Sequence, residues 1–188
     1  MAEEIKELIE KAHISQDSLL ERALKVYKKI EDEPFSKEKK ARASIYLACD
    51  ESACTAIRKL PKTKTKILKR VRERTGIKPN LEATNWVDSV CKETNRGEDV
   101  ARKAKEILEE YRKMDSVGYY RCRPLTNATA AVYIASKLCG KDISQYELQE
   151  KVGVTILTIG ERYREMTEKL GISLPLSSKS NLYRLDTF

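Results

Sequence analysis

The stretch "ATAAVYIASKL", residues 128–138, decides the fold, because a near copy of it, "ARASIYLACDE", occupies residues 41–51. The two runs lie 87 positions apart, with Tyr46 and Tyr133 in register. Repetition inside one chain predicts two copies of one structural unit. Both runs are dense in alanine and serine. Small side chains let neighbouring helices approach closely, so each run is expected at the centre of a helical bundle.

The flanks repeat as well. Ala23, Val26, Tyr27 and Ile30 precede the first run at helical spacing, and Ala104, Ile107, Leu108 and Tyr111 precede the second. Each copy closes on a helix that ends in Gly-Ile, at "ILKRVRERTGI" and "IGERYREMTEKLGI". Gly76 and Gly171 fit helix C-terminal caps. The periodicity predicts an all-α chain with five helices per copy. In the first copy they fall near 3–12, 16–31, 36–51, 53–60 and 63–75, and in the second near 81–94, 97–115, 126–138, 144–152 and 156–170. Ser144 with Glu147 has capping-box spacing, and Asn95 with Glu98 matches it. The expected division is 1–77 for the first repeat, 78–172 for the second and 173–188 for a tail. Eight residues fewer separate the central and final helices in the first copy, so its fourth helix is expected to be abbreviated.

Composition agrees with a helical globular chain. Of 188 residues, 40% are hydrophobic and 35% charged, with only seven glycines and five prolines. No apolar run reaches the roughly 20 residues that span a bilayer, so no membrane partner is expected. "MAEEIKELIE" is expected to be an amphipathic helix rather than a secretory signal. Cys49, Cys54, Cys91, Cys122 and Cys139 form no C-x-x-C pair, and His13, the single histidine, is far from them. A structural zinc site needs four ligands, usually in two close pairs, so no metal is expected and most of these cysteines should be small core residues. Glycine-rich phosphate loops and nucleophile–base motifs are missing too, so neither a cofactor nor an enzyme is expected.

The formal charge is +8, and "RKLPKTKTKILKRVRER", residues 58–74, carries a balance of +8 by itself. Concentrated basic charge is the footprint of nucleic-acid binding, although a solvated helix face or a docking surface for an acidic protein gives the same pattern. Lys66, Lys69 and Arg70 are expected opposite the inward Ile67, Leu68 and Val71, with Lys62 and Lys64 leading in. Near the end of the chain, "VGVTILTIGERYRE", residues 152–165, reads as a helix-turn-helix. Ile156, Ile159, Tyr163, Met166 and Leu170 make one expected buried stripe. Thr155 is the expected N-cap. Leu157, Thr158, Gly160, Glu161 and Arg164 are left for the outer faces, where such a helix reaches base edges. Trp86, with Val87 and Val90, is expected in the core, and His13 at a helix end.

The residues "PLTNATAAVYIASKLCGKDISQYELQEKVGVTILTIGERYREMTEKLGI", 124–172, carry a family likeness. Together with the repeat they resemble the cyclin-box core of the archaeal TFB and eukaryotic TFIIB family of transcription initiation factors. The resemblance implies two tandem cyclin-like repeats that hold a TATA-binding protein on double-stranded promoter DNA, with RNA polymerase as a further partner. It implies an intracellular setting, cytoplasmic in an archaeon and nuclear in a eukaryote. In that family a zinc ribbon precedes the core, whereas this sequence begins at the core, as expected for a fragment or for an accessory or competing factor. The family pattern in the last helix places a base-reading arginine where Gly160 stands. That substitution predicts weak or altered sequence preference, with binding carried by charge and shape. Arg121 and Arg123, beside the Pro124 turn, are expected to touch the DNA backbone or to face water as loop charges. A cyclin-type module that binds a kinase or another regulator without DNA is the competing expectation.

Overall fold

The computed structural model describes residues 2–11, 17–58, 60 and 63–174. All of its regular elements among these residues are helical. His13, Lys62 and the tail from residue 175 lie outside the described residues.

The first half holds α1 (Ala2–Lys11), α2 (Asp17–Lys29), α3 (Lys37–Glu51), one 3-10 turn (Thr55–Arg58) and α4 (Thr65–Thr75). The second half holds α5 (Thr84–Glu93), α6 (Glu98–Met114), α7 (Ser116–Arg121), α8 (Pro124–Leu138), α9 (Gln145–Val152) and α10 (Ile156–Leu170). The two small-residue runs are the middles of bundles. Ala41, Ala43, Ile45, Leu47, Ala48 and Cys49 on α3 are fully buried, as are Ala128, Ala130, Ala131, Val132, Ile134 and Ala135 on α8. α3 packs against α1, α2 and α4, and α8 packs against α5, α6, α9 and α10. The fold is all-α, with two tandem cyclin-like repeats of which the second closes on a helix-turn-helix.

The repeat holds to the residue. α3 and α8 each run 15 residues and both boundaries are offset by the sequence spacing. Their exits match too. Cys54 N–H donates to Cys49 O at 2.8 Å, and Lys141 N–H donates to Ser136 O at 2.8 Å. That six-residue closure needs a left-handed residue just past the helix. Ala53 adopts it at φ 49° in the first copy, and Gly140 at φ 66° in the second.

The fourth helix of the first copy is abbreviated, as expected, to the single 3-10 turn of Thr55–Arg58. Other expectations change. α7 lies outside the expected helices and fills the segment between α6 and α8. Asn95 does not cap α6. Gly97 holds the N-cap position, while Asn95, at φ 52°, closes the turn after α5. Ser144 does cap α9, accepting from Glu147 N–H at 3.0 Å. None of the five cysteines forms a disulfide; Cys49, Cys54 and Cys91 are buried and Cys122 and Cys139 partly so. Burial pushes the Cys91 thiol up to about 11, and a hydrogen bond with Cys54, then burial, raise the Cys49 thiol as well. Trp86, Val87 and Val90 lie in the core of the second half. No helix among the described residues is long and apolar enough to cross a membrane.

Candidate nucleic-acid interface

α9 ends at Gly153, whose left-handed backbone (φ 76°) turns the chain sharply. Buried Val154 anchors the turn, and Thr155 caps α10, its hydroxyl accepting from Thr158 N–H at 3.3 Å. Ile156 N–H donates to Gln149 Oε1 at 2.9 Å, tying the start of α10 to α9. These contacts fix the angle between the helices and leave the first turn of α10 open. Leu157 is 71% exposed and Ile156 40% exposed. Ile156 is therefore not part of the buried stripe. The interior residues are Ile159, Gly160, Arg162 and Met166, with Tyr163 and Leu170 half-buried.

Gly160 was expected to face outward, and it is covered. A Cβ built there would lie 3.5 Å from Arg164 Nη2 and 3.5 Å from Gln145 Oε1. Arg164 and Glu161 are exposed, and Thr158 is partly buried with its hydroxyl 2.8 Å from that of Thr155.

Arg162, 4% exposed, has the opposite role from the one a surface helix would give it. Its guanidinium donates to Tyr111 Oη at 3.0 Å, pairs with Glu165 at 3.1 Å and reaches Cys122 Sγ. Tyr111 Oη donates in turn to Glu165 Oε1 at 3.0 Å. Burial, then the Glu165 carboxylate, push the Tyr111 phenol up to about 12. A buried guanidinium is tolerated only when paired and hydrogen-bonded in this way. The network joins α10 to α6 and α7. Gly118 of α7 belongs to the same corner, since a Cβ there would come within 2.6 Å of Tyr111 Oη and of Asp115 Oδ2. Tyr119 accepts from Ala83 N–H at 2.9 Å, and Asn127 donates to Tyr119 O at 2.6 Å, so α7 also braces α5 and α8. Arg162 sits three residues after Ile159 and four before Met166, a spacing that could have placed it inside.

The basic segment divides into two groups. On α4 the arginines are paired: Arg70 with Glu33 at 2.5 Å, Arg72 with Asp50 at 2.7 Å and Arg74 with Asp32 at 2.9 Å. Arg70 also lies 5.7 Å from the centre of the Phe35 ring. Burial pushes the Asp50 carboxyl up, against the opposing pull of Arg72. Lys64, Lys66 and Lys69 are exposed and make no ion pair with a described residue. Lys64 is the N-cap of α4, with no side-chain cap bond. Lys64 and Lys66 therefore sit at the first turn of a helix, where the backbone dipole favours anions, and Lys69 follows one turn on. Arg121 is exposed and paired with Glu165 at 3.0 Å, a surface contact of little energy. Arg123 is exposed, is the N-cap of α8 and lines a cleft of about 540 Å³ with Trp86, Arg72 and Leu81. No group of three or more His, Cys, Asp or Glu among the described residues is placed to hold a metal ion.

Tandem helical repeats, the second closing on a helix-turn-helix with an open first turn, define a cyclin-like module. The model of the transcription factor TFIIB repeat matches residues 78–169. A protein of Pyrococcus horikoshii named transcription initiation factor IIB is 34% identical over 152 residues, covering 71% of this chain and 49% of that protein. One of the same name from Pyrodictium occultum is 29% identical over 187 residues, covering 93% of this chain and 59% of that protein. Transcription initiation factor IIB 1 of Thermococcus kodakarensis is 36% identical over 98 residues, covering 52% of this chain and 32% of that protein. The chain belongs to the transcription initiation factor B family, TFB in archaea and TFIIB in eukaryotes, and spans about half the length of the curated relatives it matches.

Proposed function

We propose that the chain is a transcription-factor core that binds promoter DNA together with a TATA-binding protein. The observation that carries this reading is the open first turn of α10, inside the segment that matches the TFIIB repeat. Leu157, Thr158 and Arg164 meet the DNA from α10, with Thr155 and Glu161 at the margins of the contact. Gly160 contributes by its small size rather than by touching a base. Lys64, Lys66 and Lys69, with Lys62, take phosphates or an acidic face of the TATA-binding protein, and Arg70 joins them by exchanging Glu33. Arg121 and Arg123 meet the backbone from the start of α8. The working units are 1–77 and 78–172, with 173–188 as a tail.

A gel-shift series with a TATA-containing duplex and purified TATA-binding protein, run at several salt concentrations, tests the reading. The expected result is a complex that requires all three components and weakens with salt by about 0.9 log units per phosphate contact. Binding to neither component would sink it and would leave the protein-only, cyclin-type module.

A further inference from the structure

We infer that Arg164, and not residue 160, supplies the base-reading guanidinium of the helix-turn-helix, and that its ligand is the major-groove edge of a guanine. The inference rests on the DNA-binding reading above. In an α-helix the Cα–Cβ bonds tilt toward the N-terminus, so a long side chain covers the turn before its own. Arg164 does this: its Nη2 lies 3.5 Å from the point where a residue-160 side chain would begin. Four residues span about 6 Å of helix, within the reach of an arginine. The guanidinium is thereby carried back from the ninth helical position toward the fifth, nearer the end that enters a groove.

A residue no larger than alanine leaves that surface free, since a Cβ there meets its neighbours at ordinary contact distance. A longer side chain at position 160 would occupy the place of the guanidinium and push against Gln145 of α9. The guanidinium is also unspent. Arg164 makes no ion pair with a described residue, unlike Arg162 and Arg121, and its near neighbour is the Tyr163 ring at 6.0 Å. Leu157 and Gly160 share this face with Arg164, at three- and four-residue spacing. The face thus presents an exposed apolar group and a free planar donor. An arginine matches guanine O6 and N7 with two bonds, and an apolar group suits a neighbouring thymine methyl.

The test uses the full chain, purified TATA-binding protein and duplexes with a TATA element flanked by randomised segments. Selection is expected to enrich one guanine position. Replacing that guanine by 7-deazaguanine, which lacks the N7 acceptor, should weaken the wild-type complex measurably, and replacing it by adenine should weaken it roughly five- to 150-fold. Arg164→Ala should lose both effects. Arg164→Lys should keep the salt slope while losing most of the preference, which separates base reading from phosphate contact. Circular dichroism and melting of both variants should match the wild type, since the side chain is exposed. A wild-type complex without any guanine preference, or one that Arg164→Ala leaves intact, overturns the inference while the DNA-binding reading stands. Failure of the wild type to bind DNA at all overturns both.

Discussion

The two halves start from one unit and end differently. In the first, buried residues fall into two clusters, one around Ile5, Leu19, Ile45 and Cys49, the other around Val26, Leu47, Leu68 and Val71. In the second, a single cluster runs from Ala83 to Met166 and draws in Ala53 and Ile57 from the first half. The difference traces to the segment after the small-residue helix. Where the second half has α9, a tight turn and a capped α10, the first has a 3-10 turn and an uncapped α4. A helix-turn-helix needs both helices, so only the second half can present one. The lesson is that duplication preserves the packing helix to the residue, while function is written into the helices that follow it.

The largest expected effect isolates what only the second half has. Arg162→Ala removes the buried guanidinium that Tyr111, Glu165 and Cys122 share and should cost about 3–5 kcal/mol in urea unfolding. A loss below about 1 kcal/mol would mean that the network is not what seats α10.

Equivalent core deletions come next. Leu47→Ala and Ile134→Ala are both fully buried truncations and should each cost about 2–5 kcal/mol. Because Thr55 N–H donates to Ser89 Oγ at 3.1 Å and Ala53 lies in the second core, both should shift one shared transition. Two separable transitions in calorimetry would break the picture of coupled halves.

The third compares the two helix exits. Gly140→Ala puts a methyl on a left-handed residue and should destabilise by about 1–2 kcal/mol, although a Cβ there meets nothing within 4 Å. Ala53 already carries that strain, so Ala53→Gly should cost little even though a buried methyl is lost. Equal losses from both changes, measured by denaturation, would refute a common exit geometry.

The smallest stability effect carries a large binding one. Replacing Lys64, Lys66 and Lys69 together by alanine should move folding by no more than about 0.5 kcal/mol. The salt slope of DNA binding should become shallower by about 2.7, at roughly 0.9 per lost phosphate contact. An unchanged slope would reassign the lysines to a protein partner.

Much of this was legible in the residues. Ala and Ser at close spacing placed α3 and α8, and the Gly153–Thr155 turn chemistry placed the helix-turn-helix. The lysines of 64–69 stood out by charge alone. What escaped was long-range. "SVGYYR" has no apolar period, and beside the local Asp115 cap α7 is held by Tyr119, whose hydroxyl accepts from Ala83 N–H, distant in the chain. Arg162 was passed over because a hydrophobic stripe is counted from apolar residues. An inward arginine becomes visible only once its carboxylate and phenol partners converge on it. The pairing of Arg70, Arg72 and Arg74 was equally hidden, because their carboxylates lie on α3 and in the turn after α2.

The crowding of Lys64, Lys66 and Lys69 along the first two turns of α4 gives the free protein an unusual response to electrolyte. Dissolved ions shield like charges once the Debye length falls to about 8 Å, as at physiological ionic strength. The mutual repulsion of the three ammonium groups is then relieved, and the unbound chain should melt at a higher temperature in brine. The same shielding loosens its grip on any polyanion. Concentrated electrolyte thus favours the solitary molecule twice over, and dilute electrolyte favours the assembled one.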